Sequence, residues 1–132
     1  MVFVDTSFLF ALADLRDRQH QKADLLQREI VGEALYTTNH VAGECWTLVN
    51  RRLGHGAAIR VLNAVRNSPR YRVLEVASEV EERAFDWLLR HDEREYSFVD
   101  AVSFEVMRER GIDVALAFDE DFEAAGFRTL RP

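Results

Sequence analysis

Met1-Val2-Phe3-Val4-Asp5-Thr6-Ser7 is the stretch whose reading decides the fold. Val2, Phe3 and Val4 are three large apolar residues in a row, two of them β-branched. Such a run reads as a short strand covered on both faces, which belongs in a parallel sheet under helices. The run stops on a carboxylate. Thr6 and Ser7 follow as residues able to cap a helix supplied by Phe8, Leu9, Phe10, Leu12 and Leu15. In open α/β sheets ligands collect where the carboxyl ends of strands meet helix starts, and Asp5 stands on that edge. A plain cap or turn role for Asp5 accounts equally well for this stretch taken alone.

The same alternation continues outward. Ala23, Leu25, Leu26 and Ile30 space as an amphipathic helix ending near Gly32, and Ala34–Thr37 reads as a second strand. Thr38-Asn39 can cap a helix carrying Val41, Cys45, Leu48, Val49 and Leu53, which Gly54-His55-Gly56 breaks. A further helix runs from about Ala57 to Val65, and Tyr71–Val76 alternates as a third strand. Ser78 is placed to cap a helix with Val80, Ala84, Trp87 and Leu88, and Arg90–Tyr96 reads as a charged loop. Ser97-Phe98-Val99-Asp100 opens a helix stopped by Gly111. Val114–Phe118 is a second fully apolar strand ended by Asp119, Phe122 sits in a short turn, and Phe127–Leu130 reads as an edge strand. Strands alternating with helices predict a three-layer α/β/α sandwich around a central, mainly parallel twisted sheet.

Composition narrows the class. With 48% apolar and 30% charged residues over 132 positions, the chain reads as one folded domain, 1–132, with one core. No apolar run approaches the roughly 18 residues of a membrane helix, and no basic segment precedes an apolar one, so neither an anchor nor a secretory signal is expected. Cys45 is the single cysteine, cannot form an internal disulfide and fits a reducing cytoplasm. A net charge of −6 argues against a protein that coats nucleic acid non-specifically, but not against a nuclease whose acidic site recruits cations.

Acidic residues number 23, so position has to separate the informative ones. Asp5 and Asp119 each end a buried strand, and in one parallel sheet both emerge on the same edge. Glu44 lies three residues after Val41 and four before Leu48, on a helix face it shares with apolar residues. A carboxylate there is costly unless paired, hydrogen-bonded or metal-bound. Asp100 lies in the first turn of its helix, where the dipole favours an anion. Singly, each has a structural explanation: Ser97-x-x-Asp100 is a capping-box spacing, and Glu44 can pair with Arg51 or Arg52. Jointly, four converging carboxylates would repel one another and raise their pKa values, a conflict that a divalent cation removes. An all-oxygen set selects Mg²⁺, with Mn²⁺ as a substitute.

These residues carry a family resemblance. Val4-Asp5-Thr6-Ser7, Glu44 with Leu48, Ser97-Phe98-Val99-Asp100-Ala101 and Phe118-Asp119-Glu120-Asp121-Phe122 resemble, in order and spacing, the PIN domains of short VapC-type bacterial toxins. The resemblance implies a metal-dependent ribonuclease, with Asp5, Glu44, Asp100 and Asp119 at the acidic positions that hold Mg²⁺ and carry catalysis. Thr6, Ser7 and Ser97 fall at supporting hydroxyl positions, and Asp121 is the alternative fourth acid. Hydrolysis with an activated water would leave a 5′-phosphate and a 3′-hydroxyl. A small cognate antitoxin bearing a basic segment, an RNA substrate and a homodimer are the implied partners. Many relatives carry Thr or Ser where this chain has Ala117, which gives footing to the alternative of a weakly active or inactive PIN-like RNA- or protein-binding module.

Other residues point less far. A receiver-type phospho-acceptor would need a lysine ending a late strand, but the only lysine is Lys22; a dehalogenase-like phosphatase would need Asp where Ser7 stands. His20, His40, His55 and His91 are scattered and read as surface or loop residues. Arg51, Arg52, Arg70, Arg72, Arg90 and Arg94 are candidate phosphate contacts, Tyr96 reads as packing, and Cys45 reads as core. Phe8, Leu9, Phe10, Leu12 and Trp46 are surplus apolar residues for the core or for interfaces.

Overall fold

A computed structural model describes residues 1–132. Five strands form one sheet: β1 (Val2–Val4), β2 (Leu35–Thr38), β3 (Tyr71–Leu74), β4 (Val114–Leu116) and β5 (Arg128–Thr129). Seven helices connect them: α1 (Thr6–Ala13), α2 (His20–Glu29), α3 (Asn39–Leu53), α4 (His55–Asn67), α5 (Ser78–Arg90), α6 (Phe98–Arg110) and α7 (Asp121–Ala124). The sheet order is β3-β2-β1-β4-β5 and every neighbouring pair is parallel. Val2, Phe3 and Val4 are all buried, as expected of the central strand.

The order of the strands determines where a site can form. The chain winds from β1 through β2 to β3 on one side, then crosses back over the sheet to add β4 and β5 on the other. Parallel crossovers are right-handed, so α1–α4 cover one face and α5–α6 the other. The packing agrees, with α3 against α4 and α1, and α5 against α6. The winding reverses between β1 and β4, and the carboxyl ends of those two strands open the crevice where ligands bind in such sheets. The core beneath this edge holds Phe3, Phe8, Leu35, Phe104, Met107, Leu116 and Phe122, all fully buried. Phe104 is the hub of the α5–α6 side. Its ring lies 5.3 Å from Trp87, 5.8 Å from Tyr96, 5.0 Å from Phe122 and 5.6 Å from Phe127.

Several boundaries differ from the pattern-based expectation, each for a local reason. β4 stops at Leu116 rather than Phe118, because the Phe118 N–H donates to Ser7 Oγ at 3.0 Å instead of to the ladder. β3 stops at Leu74 rather than Val76, because the Val76 N–H is taken by Asn39 Oδ1 at 3.1 Å. The cap of α1 is Asp5, whose side chain accepts from the Ser7 N–H, while Thr6 and Ser7 lie inside the helix. That helix ends at Ala13, and Leu15 is 80% exposed in the turn beyond it. Gly54 alone breaks α3 from α4: its φ of 95° suits a residue without Cβ, and helix resumes at His55. Ser78 is the first residue of α5 and not its cap; Ala77 holds the cap position without a side-chain bond. No helix is long and apolar enough to cross a membrane.

Candidate metal centre and nucleic-acid groove

Asp5 is held rigidly at the end of β1. Its backbone N–H donates to Leu116 O at 3.1 Å, which fastens it to β4. One carboxylate oxygen, Oδ2, accepts from the Ser7 N–H at 3.1 Å and from the Ser7 hydroxyl at 2.7 Å. That hydroxyl also accepts from the Phe118 N–H, so Ser7 clamps the ends of both strands. Asp5 is therefore a helix cap and a buried acid at once, 3% exposed.

Asp100 arrives from the other face of the sheet, in the first turn of α6. The expected capping box is present: Ser97 N–H donates to Asp100 Oδ2 at 3.1 Å and Asp100 N–H donates to Ser97 Oγ at 2.9 Å. Asp119 lies beyond β4 and accepts from the Asp121 N–H at 3.1 Å. Asp100, Asp119 and Asp121 each bring one oxygen within 4.8 Å of the others. Asp5 adjoins this trio, and its side chain lies close enough to Asp119 to share a hydrogen bond when one of the two is protonated. Arg94 donates from Nε to Asp121 Oδ1 at 2.9 Å.

Burial and mutual repulsion leave their mark on these acids. Desolvation, offset in part by the two Ser7 hydrogen bonds and reinforced by the Asp100 and Glu44 charges, lifts Asp5 to about 6. Asp100 rises to about 7, mainly by burial and then by Asp119 and Asp121. Asp119 rises to about 7, by burial first and then by Asp5 and Asp121. Between pH 4 and 7 the folded protein thus binds protons that the unfolded chain has released, so stability falls as pH rises through that window and levels off above it. In excess chelator the melting temperature is expected to be about 5 °C higher at pH 5 than at pH 7.5. Added Mg²⁺ should close that gap at pH 7.5 and do little at pH 5, where the acids hold protons. Calorimetric scans at the two pH values check both signs.

Glu44 does not join the trio. It is half-buried on α3 and lines an open groove of about 720 Å³ with Thr6, His40, Thr47, Leu48 and Arg51 among others. Its charge nonetheless reaches Asp5 and Cys45. The groove residues keep a helical spacing from Glu44: His40 four before, Thr47 and Leu48 three and four after, Arg51 seven after. That spacing is the signal that identifies Thr47 and His40, neither of which pattern reading placed there. His40 is half-buried, not a loop residue, and bonds Glu81 at 3.0 Å through Nε2.

The donor set fits a hard divalent cation. Every candidate ligand is a carboxylate, the acids are crowded beyond what burial favours, and the buried Thr6 Oγ1 beside them has no hydrogen-bond partner. Cys45 is excluded as a nucleophile, since burial, and then Glu44 and Asp5, push its thiol up to about 12.

The arginines sort themselves. Arg70 bonds the carbonyls of Gln27 and Ile30 at the end of α2, Arg52 and Arg72 lie over Phe10 and Tyr36, and Arg90 bonds Asp86 O. Arg51 lines the groove without a carboxylate partner. Tyr96 packs edge-on against Trp87 and Phe104. Phe8, Leu9 and Phe10 are core, while Leu9 and Leu12 also line an apolar groove of about 440 Å³ between α1 and α4.

Comparison with known proteins gives the family. The PIN domain family model matches residues 2–128. The chain is 54% identical over 132 residues to the 23S rRNA-specific endonuclease VapC20 of Mycobacterium tuberculosis, covering 100% of this chain and 99% of that protein. The crystal structure of M. tuberculosis VapC20, described as a sarcin–ricin loop cleaving toxin, superposes with a TM-score of 0.95 at 52% identity, covering all of both chains. That of FitAcB from Neisseria gonorrhoeae shares the fold, with a TM-score of 0.71 at 14% identity over 98% of this chain and 96% of that one. The acid-ended central strand, the strand order and these full-length matches lead to one assignment: the chain belongs to the PIN-domain family.

Proposed function

We propose that residues 1–132 act as a single Mg²⁺-dependent catalytic domain that cleaves a structured loop of 23S rRNA, as the toxin of a toxin–antitoxin pair. Kinship with VapC20 over the full length makes the chain a ribonuclease. The loop target is carried over from the sarcin–ricin activity named for VapC20. The observation that carries the metal assignment is the meeting of Asp5, Asp100 and Asp119, from three separate segments, at the point where the sheet's winding reverses.

In this reading Asp5, Asp100 and Asp119 hold the cation, and Glu44 contributes from the groove wall. A bound divalent ion neutralises charge on the scissile phosphate and makes a water nucleophilic at neutral pH. Ser7 fixes the Asp5 carboxylate and Ser97 fixes that of Asp100, so neither acid has to reorganise when substrate arrives. Ala117 leaves no gap in this support: it is buried, and Ser7 already supplies a hydroxyl between the two strand ends. That weighs against a binding-only role. Mn²⁺ is an adequate substitute for Mg²⁺ in an all-oxygen site. A small antitoxin, a homodimer and a cytoplasmic location complete the proposal. The exposed Phe85 and Leu89, one turn apart on α5, give a second copy an apolar surface to cover.

The reading is tested by incubating the protein with an RNA hairpin carrying the sarcin–ricin loop sequence and with a scrambled hairpin. Mg²⁺-dependent cutting of the first, abolished by chelator, is the expected result. Intact RNA at all Mg²⁺ concentrations would overturn it.

Arg51 supplies a second test. A free guanidinium in the groove suits an RNA phosphate next to the cleaved one. Arg51→Ala is expected to raise KM about tenfold with kcat little changed, and to lower the slope of log affinity against log salt by about 1. Steady-state kinetics at three salt concentrations measure both.

A further inference from the structure

We propose that Arg94 is a positioning residue that withholds Asp121 from the metal, so that the RNA-free protein takes up one divalent cation and not two. The inference rests on the reading of Asp5, Asp100 and Asp119 as a cation site and adds to it the role of the fourth nearby acid.

Asp121 stands within ligand-sharing distance of Asp100 and Asp119. Geometry alone therefore admits it as a metal ligand. It differs from its neighbours in one respect. Asp5, Asp100 and Asp119 face no basic side chain, whereas Asp121 is bonded by the Arg94 guanidinium at 2.9 Å. The guanidinium holds one of the two carboxylate oxygens, Oδ1, and competes for Asp121 with a divalent ion.

The Arg94 side chain is exposed, but the backbone that carries it is fixed. Its segment, residues 91–97, is anchored at both ends of the α5–α6 connection. His91 stacks on Trp87 with ring centres 4.1 Å apart, and the Tyr96 ring lies 4.7 Å from Trp87. Ser97 is locked to Asp100 by the capping box. The loop is thus built on the same aromatic cluster and helix start that position Asp100, so the backbone that carries Arg94 shares its support with Asp100. Asp121 in turn donates its N–H to Asp119 Oδ1, so holding Asp121 also orients Asp119. Arg94 removes one negative charge from the cluster and directs the cation toward Asp5, Asp100 and Asp119.

The test is Mn²⁺ uptake without RNA, followed by titration calorimetry and by electron paramagnetic resonance of the free ion. The wild-type protein is expected to take up one Mn²⁺ per chain. Arg94→Gln should take up two, Arg94→Lys one, and the double variant Arg94→Gln with Asp121→Asn one. Arg90→Gln, which removes a charge that bonds Asp86 and not the cluster, should stay at one and separates a specific effect from net charge. Circular dichroism and melting curves confirm that each variant is folded. One Mn²⁺ in both wild type and Arg94→Gln overturns the inference and leaves the cation site standing. Loss of wild-type uptake in Asp121→Asn alone also overturns it, because Asp121 would then be a ligand. No uptake by the wild-type protein overturns both the site reading and this one.

Discussion

Asp5→Asn and Asp100→Asn should each lower RNA cleavage by about 10³-fold, equivalent to about 4 kcal/mol of transition-state stabilisation. The substitution keeps size and one acceptor oxygen, so the Ser7 and Ser97 bonds to these positions can persist. What it removes is the charge that, in the proposed reading, retains a cation. The same change should make the metal-free protein more stable at pH 7.5, because each acid is held ionised there against burial and its neighbours' charges. Lost cleavage together with a raised melting temperature is a signature that a misfolded variant cannot produce. Cleavage assays and thermal scans on the same preparations read both. Undiminished cleavage by either variant, or cleavage in excess chelator, would remove the acids from the chemistry.

Phe104→Ala should cost about 4 kcal/mol of a total stability of about 5–15 kcal/mol. Its side chain is fully buried and stands among Trp87, Tyr96, Phe122 and Phe127. Truncation loses the transfer energy of the ring and leaves a cavity between helices that relax only in part. The effect extends to the site, since Phe104 lies one turn after Asp100 on α6 and Phe122 lies one residue after Asp121. Leu15→Ala, at a position 80% exposed in the turn after α1, should stay within about 0.5 kcal/mol and serves as the contrast. Urea titration should show a lower midpoint at unchanged slope for Phe104→Ala. An unchanged midpoint would mean that the aromatic cluster carries none of the stability assigned to it.

The strand that organises the molecule was legible because nothing in it competes: three apolar residues followed by an acid allow few other readings. The capping box at Ser97 and Asp100 was legible for the same local reason. Legibility failed where a distant residue decides. Val114–Phe118 is an unbroken apolar run, and only the Ser7 hydroxyl, 111 residues away in sequence, determines that Phe118 leaves the ladder. Asp119 therefore does not end its strand directly; it sits three residues past the strand, at a bend. The Arg94–Asp121 pair spans 27 residues, from the α5–α6 loop to the first residue of α7, and leaves no periodic trace. Glu44 stood out by sharing a face with Val41 and Leu48, but whether that face meets core or groove depends on where α6 begins. The helical spacing of His40, Thr47 and Arg51 around Glu44 is the local trace of that groove.

The central strand lies at the beginning of the sequence, while one of its two neighbours comes from residues 114–116. Half of its ladder therefore waits for chain more than a hundred residues downstream, a long loop closure that slows folding relative to a helical bundle of equal size. Until that closure, Asp5 stands apart from Asp119 and the Ser7 clamp has no second strand to hold. The meeting of Asp5 with Asp119 thus forms only once β4 has joined the sheet.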